Sequence, residues 1–218
     1  VPFDQLPQSS NPESHWIATA NQKILASNNP NPLTADWDLP TRYDRIVDLI
    51  KARSSHDLPY MKAMQADTLS LGATPLLDLF KATQSKHALG PQALELSRNF
   101  NGDMKADSSG ALIFNAWVDQ LTRNLFSRLG HLFTENYGAR NFRQALILQL
   151  QNPNSPWCND PKTEQVESCV EVSNLAFDQA LEQLSKQFGK RFTQGESNCL
   201  QHGRDESVHQ PMLPAAVV

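Results

Sequence analysis

"GALIFNAWVDQLTRNLFSRLGHLF", Gly110 to Phe133, is the longest periodic stretch of the chain. Leu112, Ala116, Trp117, Leu121, Leu125, Leu129, Leu132 and Phe133 recur at three- and four-residue steps, the spacing that lines up one face of an α-helix. A single long core helix is therefore expected here. Helical periodicity continues on either side. Downstream lie "RQALILQLQ" (143–151) and "VSNLAFDQALEQLSKQF" (172–188), the second with a stripe of Phe177, Leu181, Leu184 and Phe188. Upstream, "PQALELSRNF" (91–100) has Pro91 at a first helical position and "SLGATPLLDLFKAT" (70–83) has Pro75 near its start, where a missing N–H costs nothing. From Thr41, a residue able to cap a first turn, Ile46, Val47, Leu49 and Ile50 fall on one broad face, up to "KARSSHDLP".

The first forty residues differ. "SHWIATAN", ending at Asn21, has β-branched and aromatic residues bounded by polar turn formers, and "NNPNPL" (28–33) is turn chemistry. One strand followed by long loops is expected. On such a strand Asn21 shares a face with Ile17 and Thr19, while Trp16, Ala18 and Ala20 face the other way. After Gly189 the periodicity fades into an irregular tail, 189–218.

Composition narrows the functional classes. The 218 residues, 39% hydrophobic, suffice for one sizeable core, so one domain is expected. Nineteen basic residues against 23 acidic ones, scattered rather than clustered, give a net charge of −4 and no stripe for a phosphate backbone, which argues against nucleic acid as a partner. No apolar run approaches the roughly 20 residues that cross a bilayer, and Val1 to Ser10 is polar and Pro-rich rather than a signal peptide. His15, His56, His87, His131, His202 and His209 form no HExxH arrangement, and no Gly-rich phosphate loop or GxSxG elbow is found. Cys158 and Cys169 stand at a spacing that closes as a local disulfide in an oxidising compartment and otherwise leaves two thiols; Cys199 is left over.

Four segments in order carry more: "NPESHWIATANQ" (11–22), "DLPTRYDRIVDLI" (38–50), "MQADTLSLGATPLLDLF" (64–80) and "NFNGDMKADSSGALIFNAW" (99–117). Together they resemble the C-terminal half of the β subunit of the penicillin acylase family, the N-terminal-nucleophile (Ntn) amidohydrolases. That family has a strand running into an Ala-Asn pair, an Arg-Ile pair opening a helix, a Gln-x-Asp-x-x-Ser turn, and a Trp-Asp-Gly-x-Met stretch before an Ala-x-x-Phe-x-x-Trp helix. The likeness continues through "QNPNSPWCNDPKTEQVESC" (151–169), similar to the family's Ser-Pro-Trp segment, and covers about 11–188. Phe100 and Asn101 stand where the family has Trp-Asp.

The resemblance implies an α+β fold: a mostly helical fragment of an Ntn-hydrolase αββα domain with one strand near its N-terminus, residues 1–218 forming a partial β-subunit domain. It also implies the chemistry. A serine at the N-terminus of the β subunit, released by self-cleavage of a precursor, attacks a linear amide with its own α-amine as base; such an amine titrates near about pH 8, which removes the need for a histidine. Val1 is no nucleophile, and that serine, with the α subunit and the rest of the β subunit as partners, is expected outside this chain, so the chain alone is expected to be inactive.

Asn21 matches the family's active-site asparagine, a donor to the oxyanion, and Arg45 the arginine that holds the asparagine and the terminal amine. From the residues alone, Asn21 also serves as a turn former and Arg45 as a solvated charge or a partner of Asp48. Asp36, with Asp38 nearby, lies where some members place a calcium-binding carboxylate; calcium takes six to eight oxygens, so the other ligands would come from elsewhere, and a loop or capping role is equally open. Gln65, Asp67 and Ser70 read as buried polar connectors. The substrate implied is a small N-acyl compound, such as an acylated β-lactam or an acyl-homoserine lactone, with no cofactor required and a periplasmic or secreted setting. The alternative is a non-catalytic helical binding module or the remnant of a decayed gene.

Overall fold

The computed structural model describes residues 1–26, 28–31, 33–136 and 140–193, and these are mostly helical. Cys199, His202 and His209 lie outside the described residues, as does part of the 28–33 turn. Residues up to Gly72 form one unit and those from Ala73 onward a second.

In the first unit, α1 (Thr41–Lys51) and α2 (Leu58–Gln65) follow an extended N-terminal segment. Thr41 is the first residue inside α1 rather than its cap, which is Pro40. Ile46 is the fully buried member of the expected face. The short α2 has no matching expectation: eight residues with Pro59 near the start carry little periodicity, and the start is marked by Asp57, whose side chain accepts the Tyr60 N–H at 2.8 Å. The Tyr60 hydroxyl donates to the Leu49 carbonyl at 2.5 Å, which ties α2 back to α1.

The strand expected at His15–Asn21 does not form. Its only pairing among the described residues is an isolated parallel bridge between Gln22 and Asp38. A strand is held by a ladder, and one bridge supplies too few backbone partners to count as one. The alternation survives nonetheless: Trp16, Ala18, Ala20 and Gln22 are at least partly buried, while Ile17, Thr19 and Asn21 are exposed.

The second unit contains α3 (Thr74–Ala82), α4 (Gly90–Asn99), α5 (Ser109–Phe126), α6 (His131–Asn136), α7 (Arg140–Leu150) and α8 (Cys169–Phe188). The expected single helix over 110–133 is two. Helix α5 passes into a 3-10 turn at Ser127–Leu129, and Gly130 adopts φ +59°, a conformation glycine reaches without a Cβ penalty, before α6 begins. Leu132, placed on the core stripe by its spacing, is consequently half exposed.

The core lies mainly between α5 and α8. Ile113, Phe114, Trp117, Leu121 and Leu125 of α5 face Ala176, Phe177, Ala180 and Leu181 of α8, all fully buried. Trp117 keeps its indole N–H satisfied by donating to the Ser173 carbonyl at 3.2 Å. Phe80 of α3 enters the cluster, with ring centroids 5.2 Å from Phe114, 5.1 Å from Trp117 and 5.9 Å from Phe177. Helices α4 and α5 approach closely at Gly110, where a Cβ would sit 3.2 Å from the Leu96 carbonyl oxygen.

Cys158 and Cys169 are joined as a disulfide with a Cα–Cα distance of 4.9 Å, so the connection between α7 and α8 closes on the first residue of α8. The adjoining helix start is a reciprocal cap: Ser168 Oγ accepts the Glu171 N–H, and the Glu171 carboxylate accepts the Ser168 N–H.

Candidate functional site

The residues around Asn21 form a tight corner built by the extended segment and the start of α1. Ala20 donates its N–H to the buried Gln22 Oε1 at 2.7 Å, and the Asn21 carbonyl accepts the Asp38 N–H at 3.0 Å. Arg42 closes the corner. Its Nη2 donates to the Ala20 carbonyl at 2.8 Å, to Asn21 Oδ1 at 2.8 Å and to Asp38 Oδ2 at 2.6 Å. Asp38 also accepts the Leu39 N–H at 3.0 Å.

Asn21 itself adopts φ +64°, a left-handed conformation that asparagine tolerates better than other side-chain-bearing residues. The surrounding bonds over-determine that conformation, as strained backbone requires. With Oδ1 engaged by a guanidinium, the amide cannot flip without giving Arg42 a donor to face. Asn21 Nδ2, its two protons intact, has no acceptor among the described residues.

Arg45, one turn along α1, is engaged elsewhere. Its Nε and Nη2 meet the two oxygens of Asp67 at 2.8 and 2.6 Å, a bidentate pair with side-chain exposures of 23% and 20%. Hydrogen bonding to Asp67 raises the guanidinium's pKa above its ordinary value; partial burial opposes this, and the charges of Asp67 and Asp48 add to it. The expected pairing of Arg45 with Asn21 is thus replaced by Arg42 with Asn21. Asp67, expected as a buried connector into the following helix, is partly exposed and instead ties the turn after α2 back to α1 through Arg45. Gln65, expected to be buried, is exposed at the end of α2.

Asp36 is exposed, with its N–H donated to Thr34 Oγ1 at 3.0 Å. Asp38 is committed to Arg42 and the Leu39 N–H, and among the described residues no three His, Cys, Asp or Glu side chains gather as a metal site. The donors of the 36–38 turn therefore do not fit calcium by themselves; a cation there would draw most of its six to eight oxygens from elsewhere.

An asparagine held in a strained turn at the end of an alternating segment gains meaning from relatives. The family model for penicillin amidase matches residues 1–210. The chain belongs to the penicillin amidase family. Among curated relatives, it is 25% identical over 234 residues to an acyl-homoserine lactone acylase QuiP of Pseudomonas aeruginosa, covering 96% of this chain and 28% of that protein. It is 32% identical over 137 residues to a penicillin acylase 2 proenzyme of a Pseudomonas species, covering 60% of this chain and 17% of that protein. A third, the QuiP acylase of Pseudomonas syringae pv. tomato, is 28% identical over 76% of this chain and 22% of its own length. The chain spans less than a third of the relatives it matches.

Within the penicillin amidase frame, reading the sequence passes over Arg42. The available signal is its four-residue spacing from Asp38 across the start of α1, an i,i+4 arrangement that brings opposite charges together. No helix among the described residues is long and apolar enough to cross a membrane.

Proposed function

We propose that this chain is part of an Ntn amidohydrolase that cleaves a linear N-acyl amide, with Asn21 donating its Nδ2–H to the oxyanion of the tetrahedral intermediate. The serine nucleophile and the amine that activates it belong to the parent protein outside these residues. The amide carbonyl accepts the serine Oγ, the proton passes to the α-amine and then to the leaving amine, and water later repeats the attack on the acyl ester. No cofactor enters this chemistry. The observation that carries the proposal is the state of the Asn21 amide: carbonyl oxygen engaged by Arg42, Nδ2 left as donor.

The substrate class in this proposal is supported by the names of two relatives, which specify acyl-homoserine lactones and penicillins, both N-acyl compounds. Release from a proenzyme and a periplasmic or secreted setting are part of the same proposal, supported respectively by a relative's name and by the Cys158–Cys169 disulfide. The test is Asn21→Ala in the processed enzyme that carries this segment, assayed on an N-acyl homoserine lactone and on a penicillin. A preorganised oxyanion donor is worth about 100- to 1,000-fold in kcat. A fall of that size with KM little changed supports the assignment. Unchanged kcat on both substrates refutes it and favours a scaffold that only binds.

A further inference from the structure

Arg42 touches both the Ala20 carbonyl, next to Asn21, and the Asn21 side-chain amide. We propose that it is the positioning residue that fixes the Asn21 amide, a role that rests on the oxyanion reading above for its catalytic consequence but not for its geometry. Three acceptors converge on one nitrogen: the Ala20 carbonyl, Asn21 Oδ1 and Asp38 Oδ2, at 2.8, 2.8 and 2.6 Å. Nη2 has two protons, so one of them is shared, and the shortest contact is the charge-assisted one to Asp38.

The pieces divide the work. Asp38 anchors Arg42 through its carboxylate and anchors Asn21 through its own N–H, which donates to the Asn21 carbonyl at 3.0 Å. Arg42 then reads the side chain. A guanidinium has only donors, so it accepts one orientation of the carboxamide, oxygen inward, and excludes the other. The Asn21 side chain is thereby turned from a rotor into a fixed donor, and that is the state an oxyanion site needs in advance of the reaction. Arg45 cannot do this while both of its facing nitrogens are held by Asp67.

The test is NMR on the processed enzyme that carries this segment, selectively labelled with 15N-asparagine, the Asn21 side-chain pair being assigned by its absence in Asn21→Ala. In the unsubstituted enzyme the heteronuclear NOE of the Asn21 Nδ2 group should match that of the ordered backbone. Arg42→Met should drop it to the value of a free surface amide, while Arg42→Lys should restore part of the order, because three acceptors around one nitrogen also suit an ammonium. A mobile amide in the unsubstituted enzyme, or an equally ordered one in Arg42→Met, overturns the proposal; the first result needs no variant to fold.

A kinetic cycle in the processed enzyme adds a second readout. Arg42→Met should lower kcat about tenfold with KM within about twofold, and added to Asn21→Ala it should cost no more than about twofold further. Losses that multiply in full show Arg42 acting apart from Asn21 and overturn the positioning role. Should Asn21→Ala leave kcat unchanged, the oxyanion reading falls, while the NMR result still decides whether Arg42 orders the amide.

Discussion

Removing Asp67 tests whether Arg45 is held for structure. The pair is bidentate, at 2.8 and 2.6 Å, and each side chain is less than a quarter exposed, so solvent screening is weaker than for a surface pair. Exposed ion pairs are worth up to about 1 kcal/mol and a hydrogen bond to a charged group about 1.5–3 kcal/mol. Two such bonds at this partial exposure give a coupling of about 2 kcal/mol, discounted from the buried limit. The assay is urea unfolding of Asp67→Asn, Arg45→Met and the double variant, followed by circular dichroism. With a slope of about 2 kcal/mol per molar urea, Asp67→Asn should lower the midpoint by about 1 M.

The sign of the pH dependence follows from Arg45. Its folded-state pKa is raised, so its contribution is complete below the ordinary arginine value and is lost only as pH climbs through the higher folded value. Between about pH 6 and 9 the guanidinium stays charged, and Arg45 should introduce no drift in the coupling. A double-mutant coupling below about 0.5 kcal/mol would refute the reasoning. It would mean that the geometry contributes nothing measurable and would leave Arg45 available for another partner.

Three further outcomes are expected. Phe80→Ala removes a fully buried ring packed on Phe100, Phe114, Trp117 and Phe177 and should cost about 3–5 kcal/mol, measured by thermal or urea unfolding; a loss under about 1 kcal/mol would mean that the cluster does not close around it. Reducing the disulfide, whose cysteines are 11 residues apart, should destabilise the chain by about 3 kcal/mol from regained loop freedom, and the same melt with and without reductant checks this. Hydrogen bonds from the Ser168 backbone and hydroxyl hold the Glu171 carboxyl below the usual glutamate value, so its stabilisation is present above that value and is lost as pH falls through the lower folded one. Amide exchange at the first turn of α8 should accelerate in that acid window, and Glu171→Gln should abolish the acceleration.

The legible parts of this fold were those with long periodicity. The stripe of Phe177, Leu181, Leu184 and Phe188 is buried as its spacing says, because nothing in that stretch interrupts the helix before Gly189. Spacing could not show that Gly130 would take a positive φ and split the 110–133 pattern, since apolar residues resume the same rhythm on the far side. Helix α2 was too short to announce itself by period and is defined by a cap. In the candidate site, the alternation of Trp16 to Gln22 was readable while its pairing was not, because a ladder depends on a second segment. The arginines divide on the same ground: Asp38 lies four residues from Arg42 and its charge pairing is readable from spacing, whereas the Arg45–Asp67 pair and the contact of Arg42 with Asn21 depend on segments more than twenty residues apart returning in space.

The Cys158–Cys169 bridge has a consequence for how the molecule would look after damage. Between the two cysteines, Pro161 to Val166 lies exposed, with Lys162 among them. A cut after Lys162 would sever the main chain between α7 and α8 yet leave both pieces covalently attached through sulfur. Such a nicked molecule would run as one band on a gel without reductant and as two with it, so apparent intactness of this protein depends on the redox state of the sample.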